Sequence, residues 1–139
     1  MKGRWVGKQE FNTGGAPMVG EATDNVAEAI GGRYLEEKLS TSLPGRKASD
    51  TRHFLTFDEK SGKYRAWWFN DTSVAPTELS GELKDGKLIL MTEDNGKSPV
   101  LRATYEKVSD SQFKWTLAMK RGADWQELFH TVYMRGPER

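Results

Sequence analysis

The sequence contains no cysteine. That absence excludes disulfides, thiol nucleophiles and thiolate metal sites together, and it favours a reducing compartment, here read as the cytoplasm. No apolar run approaches the roughly 20 residues that span a bilayer. The opening residues MKGRWVGKQEF lack the apolar core of a signal peptide, so no membrane partner is expected. Charge of one sign is also missing. Twenty-one basic and 20 acidic residues leave a net +1, so nucleic acid binding has no strong electrostatic driver. There is no P-loop, no dinucleotide fingerprint, no G-x-S-x-G and no Ser-His-Asp order, so no cofactor is expected and no catalytic residue is assigned. Asn70-Asp71-Thr72 fits a glycosylation sequon, which without a secretion signal is read as chance.

Against those absences stands a regular pattern of short alternating segments. In LSGELKDGKLIL, Leu79, Gly81 and Leu83 alternate with Ser80, Glu82 and Lys84, and Leu88 and Leu90 resume the alternation after Asp85-Gly86. Asp-Gly suits a two-residue type I′ turn, because both central residues need positive φ. The same grammar predicts strands over Gly3–Asn12, Arg33–Thr41, Lys47–Asp58, Tyr64–Asp71, Val100–Val108, Phe113–Met119 and Trp125–Arg135. Asn12–Pro17 reads as turn chemistry. Met18–Ile30 is ambiguous: a short helix over Val26–Ile30 capped by Asp24 or Asn25 competes with a strand ending at Gly31-Gly32, and the strand is preferred. About ten strands with short loops form an antiparallel meander, and closing it pairs the first strand with the last and removes both edges. The expected fold is a single all-β domain over 1–139: a closed antiparallel up-and-down barrel of about ten strands, with a β-sandwich as competitor.

Gly3-Arg4-Trp5 near the start and Arg135 at the end resemble the calycin superfamily, which includes the lipocalins. There a G-x-W on the first strand and an arginine near the last pack at the closed end, guanidinium over indole. A resemblance covering most of the chain rests on Trp5-Val6-Gly7, Gly31 through Glu36, Phe57-Asp58 before Lys63-Tyr64, Trp68-Phe69-Asn70, Gly81-Glu82-Leu83 with Gly86-Lys87-Leu88, and Tyr133-Met134-Arg135. These occur in the order seen in a bacterial family called domain of unknown function 1579, which resembles a calycin-like, lipocalin-like barrel. The resemblance implies a fold and a structural seam of Trp5 with Arg135, and it brings no settled activity. The family commonly has a short helical lead-in, whereas Met1 here almost abuts Trp5, so the plug at the closed end is expected to be reduced or supplied from elsewhere. His130 stands where the family tends to carry a carboxylate.

Function is therefore read from candidate site residues. His130 is expected to face inward if Leu128, Val132 and Met134 do, and one histidine on a late strand is a way to bind haem; the plainer reading is a hydrogen-bonded interior or rim histidine. His53 shares a face with Leu55 and Phe57, but no HxH or HExxH spacing makes the two histidines a metal site. Trp68 shares parity with Tyr64 and Asn70, an aromatic and amide face suited to a small ligand with a polar head; Trp67 then points outward and is available for a homodimer interface. Glu36 and Arg102 are charged residues at strand centres whose interior placement would fix a head group, and the outer wet face is the alternative. The expected ligand-binding set is Tyr34, Glu36, His53, Tyr64, Trp68, Asn70, Arg102 and His130. The preferred function is binding of a small apolar or amphipathic molecule inside the barrel. The alternatives are an enzyme pairing His53 or His130 with Glu36 or Arg102, and a solid barrel serving as an interaction module.

Overall fold

A computed structural model describes residues 1–12 and 18–137. Ten strands follow in chain order: β1 (Gly3–Phe11), β2 (Met18–Ala29), β3 (Tyr34–Ser42), β4 (Thr51–Asp58), β5 (Lys63–Asn70), β6 (Thr77–Lys84), β7 (Lys87–Met91), β8 (Leu101–Ser109), β9 (Gln112–Arg121) and β10 (Asp124–Arg135). Each pairs antiparallel with its predecessor. β1 also pairs with β10, from Trp5 opposite Arg135 to Phe11 opposite Phe129, so the sheet closes into a barrel and the sandwich alternative fails. Among the described residues there is no helix, and none long and apolar enough to cross a membrane.

The ambiguous stretch is the twelve-residue strand β2. Ala22, Asp24 and Val26 are buried while Glu21, Asn25 and Ala27 are exposed, a period of two that no helix gives. The expected turn at Asn12–Pro17 falls largely on residues 13–17, which lie outside the described residues. At the β6–β7 hairpin, Asp85 (φ 52°) and Gly86 (φ 76°) both occupy the left-handed region, as a type I′ turn requires. Short turns at 30–33, 59–62, 85–86 and 110–111 gather at one end with Trp5, and the longer connections at 43–50, 71–76 and 92–100 gather at the other.

Closure sets a tight inner radius, which two inward glycines relieve. A Cβ on Gly81 would collide with the Ile89 carbonyl oxygen, and one on Gly7 with that of Val132. Gly81 is therefore required by strand contact inside the sheet, where its φ is ordinary. At the Trp5 end the core is aromatic: Trp5 meets Phe113 edge-on at 4.8 Å, and Phe113 stacks on Tyr133 at 4.9 Å. Burying such a side chain stabilises the fold by about 2–3 kcal/mol. Gly81→Ala is expected to cost about 3 kcal/mol by forcing β6 and β7 apart, the upper end of ordinary core overpacking. Urea unfolding of the variant measures this, and a loss below about 1 kcal/mol would show that the two strands part freely.

Candidate functional site

Four polar side chains meet in the middle of the barrel, each carried inward by alternation with apolar neighbours. Asp24 of β2 lies between Ala22 and Val26, Glu37 of β3 between Leu35 and Leu39, His53 of β4 beside Leu55, and Tyr105 of β8 beside Ala103. Register aligns them: Glu37 is opposite His53, and His53 is opposite Trp68. Glu37 Oε2 accepts a 3.0 Å hydrogen bond from the Tyr105 hydroxyl and lies 3.1 Å from His53 Nδ1. The imidazole stacks on Trp68 with centroids 4.4 Å apart and planes 14° from parallel. Nearer the mouth, Gln9 Oε1 accepts from the Thr131 hydroxyl at 3.1 Å and from that of Thr41 at 3.4 Å.

The electrostatics are those of acids removed from water. Asp24, 1 % exposed, has its carboxyl pushed from the ordinary 3.8 up to about 10, first by burial, then by the charge of Glu37 and a hydrogen bond to it. At neutral pH Asp24 thus holds a proton. Its Oδ1 is buried without a hydrogen-bond partner. Burial, and then the Glu37 and Asp24 charges, also push the Tyr105 phenol well up, so it remains a neutral donor. The indole N–H groups of Trp68 and Trp115 are buried without a hydrogen-bond partner.

This polar layer separates two chambers that share no lining residue. One, of about 470 Å³, opens among the longer connections. Trp68, Trp115, Phe129 and Phe11 wall it, His53 lies at its inner end, Gln9, Thr41, Asn70 and Thr77 add polar points, and Arg46 and Lys47 stand at its rim. The other, of about 520 Å³, opens at the end of Trp5 and Arg135 between Leu35, Leu55, Tyr64, Leu88 and Tyr105. There the Arg135 guanidinium lies 4.4 Å from the Trp5 ring centroid.

The eight residues expected to line one cavity divide between the two faces of the wall. His53, Trp68 and Asn70 meet in the chamber at the longer connections, and Tyr64 lies in the opposite one. Tyr34, Glu36, Arg102 and His130 are on the outer face. Tyr34 packs edge-on against Phe54 at 6.5 Å and Trp67 at 6.1 Å, Glu36 lies 3.9 Å from Lys38, and Arg102 stacks on Trp125 at 4.2 Å. His130 sits between Glu10 (3.3 Å) and Glu127 (3.1 Å). Its expected inward placement fails because Thr131 and Tyr133 take the inner face, which puts His130, Val132 and Met134 on the outer one; only Leu128 of the expected set packs on the core, across a bulge between Glu127 and Phe129 that breaks its parity with His130. Both His130 nitrogens face carboxylates outside the barrel, so it cannot hold haem in the interior. Nor do Glu36 and Arg102, behind the wall, form an acid–base pair with His53.

Sequence reasoning missed Asp24, Glu37, Tyr105 and Trp115 as site residues. The signal was present: an acid sharing parity with Leu35 and Leu39, or with Ala22 and Val26, is an interior acid. Among the described residues no cluster of three or more His, Asp or Glu is arranged to hold a metal ion.

Fold and site together define a ten-stranded closed β-barrel with aromatic-walled chambers on either side of a buried acidic layer. The chain belongs to the family described as protein of unknown function (DUF1579), whose sequence profile matches residues 1–135. No curated protein matches the sequence. Among solved structures the chain is similar to Rv2717c from M. tuberculosis, with a TM-score of 0.73, 14% identity, and 98% of this chain and 92% of that one covered. It is also similar to the S-type phycobiliprotein lyase CPES from Guillardia theta, with a TM-score of 0.64, 7% identity, and coverage of 99% and 89%. At these identities the likeness is one of fold.

Asp24 makes stability depend on pH in a definite direction. Its folded-state carboxyl keeps a proton where the unfolded chain has lost it, so the folded state binds more protons between pH 3.8 and about 10. Its contribution to stability is therefore full below that window, falls as pH rises through it, and levels off above. Urea midpoints measured across the window should show this decline, and Asp24→Asn should flatten it while raising stability at the alkaline end.

Proposed function

We propose that this protein binds a small amphipathic molecule with an aromatic body in the chamber that His53 floors. One observation carries the reading: a chamber of about 470 Å³ with indole and phenyl walls, a few convergent polar groups and a titratable pair at its inner end. That combination of size, apolar lining and sparse polar contacts is what ligand sites share. The structural neighbours contribute the fold alone; the name phycobiliprotein lyase belongs to one of them, and the ligand reading rests on the chamber itself. The lack of cysteine supports a cytoplasmic setting.

A neutral, environment-sensitive naphthalene dye, Prodan, tests the reading. Its emission should rise and shift to the blue on mixing with the protein, with quenching of tryptophan fluorescence. Trp68→Leu, which keeps an apolar side chain but removes the indole face, should weaken the dye by about tenfold. Tyr64→Leu, in the opposite chamber, should change it less than about twofold, within the spread of unrelated positions. Failure of the dye to enter, or indifference to Trp68→Leu, would place the function elsewhere.

A further inference from the structure

The chamber's inner end also indicates which head group it receives, an inference that rests on the binding reading above. We propose that the ligand carries a protonated amine or amidine on its aromatic body, and that this nitrogen donates to His53 Nε2 with the Glu37 carboxylate behind it.

Three observations converge on that head group. The first is charge. The buried ionisable side chains of the interior include Asp24, Glu37 and His53, and no lysine or arginine is buried among the described residues. An anionic head would find no buried cation to offset its desolvation, whereas a cationic one meets a carboxylate. The second is hydrogen-bond direction. His53 Nδ1 lies 3.1 Å from Glu37 Oε2, and the tautomer that donates from Nδ1 to that oxygen leaves Nε2 as an acceptor. Nε2 has no hydrogen-bond partner among the described residues, and His53 lines the chamber. The Tyr105 hydroxyl holds the same Glu37 oxygen at 3.0 Å, and stacking on Trp68 holds the ring, so the acceptor is fixed in place. The third is the wall. Trp68, Trp115 and Phe129 line the chamber, with centroids 6.1 Å apart for Trp68 and Trp115 and 5.3 Å for Trp115 and Phe129, and aromatic rings attract a cation placed over them. Arg46 and Lys47 at the rim repel a cation on approach, and once the ligand is inside they turn its cationic head away from the mouth and toward the floor.

Three competitors with one bicyclic body separate this from binding as such: 2-naphthylmethylammonium, 2-naphthylmethanol and 2-naphthoate, each titrated against bound Prodan at neutral pH. The ammonium should displace the dye at a concentration at least about tenfold lower than the naphthoate, the size expected for one charge-assisted hydrogen bond. Glu37→Gln and His53→Asn should bring the two within about twofold of each other, each variant's own dye affinity serving as its reference. The wild-type ratio stands by itself should either variant fail to fold. A naphthoate as good as the ammonium, or better, would overturn the proposal and mark His53 as a donor to the ligand. A preference that survives both substitutions would overturn the assignment to His53 and Glu37. If Prodan binds and the ratio is near one, only the head group is wrong; if Prodan does not enter the wild-type protein, the binding reading falls and this inference with it.

Discussion

The bonding of β1 to β10 is the constraint on which everything else depends. A ten-strand meander that stayed open would leave two unpaired edges and no inside. Closure makes an interior, and Trp5 with Arg135 fixes it at one end. These residues face one another in the register, and the guanidinium covers the indole while donating to the Lys2 carbonyl at 2.9 Å and the Asp110 carbonyl at 3.4 Å. One side chain thereby ties together the start of the chain, the last strand and the β8–β9 turn. The inward glycines, the aromatic packing and the burial of Asp24 follow from the curvature that this bonding imposes.

That interior is not built for stability alone. A barrel serving only as a scaffold would fill its middle with leucine and valine, as the layer of Leu79, Leu90 and Ala103 does locally. Here two acids, a histidine and a phenol share the same depth, and two indole N–H groups lack partners. Burying a carboxyl group is unfavourable, and the fold meets that by keeping a proton on Asp24 and by donating to Glu37 from Tyr105. A carboxyl and a phenol displaced from their ordinary titration, as Asp24 and Tyr105 are, beside a chamber, are more often found where a protein acts than where it merely packs.

The strands were legible because alternation and turn chemistry are local. Asp85-Gly86 dictates its own hairpin, and Leu79 with Leu88 and Leu90 marks a wet and a dry face without reference to the rest of the chain. Which face is dry is a different question, and it separated the right assignments from the wrong ones. Leu35, Glu37 and Leu39 were recognisable as one set, and Tyr34, Glu36 and Lys38 as the other; choosing Glu36 over Glu37 as the interior acid reversed a chemical assignment by one residue. In β10 counting parity back from Met134 and Val132 gives the right set for His130, but neighbouring apolar side chains suggested the wrong side, and the bulge at Glu127 and Phe129 carries no sequence signature. Asp24 was hidden because its segment also satisfied the rules for a short capped helix. Pairing across the barrel, such as Tyr105 with Glu37 from strands 68 residues apart, depends on the closed register and lies beyond local pattern.

Gly136 N donates to the Arg4 carbonyl at 2.7 Å, so the first and last strands leave the barrel side by side. The ring therefore has no intrinsic starting point. A chain opened at Asp85-Gly86 and joined by a short linker between its present ends would trace the same circle in a different order. The chamber that His53 floors takes no residue from the cut or the join, so a permuted chain would keep it together with the polar layer beneath it.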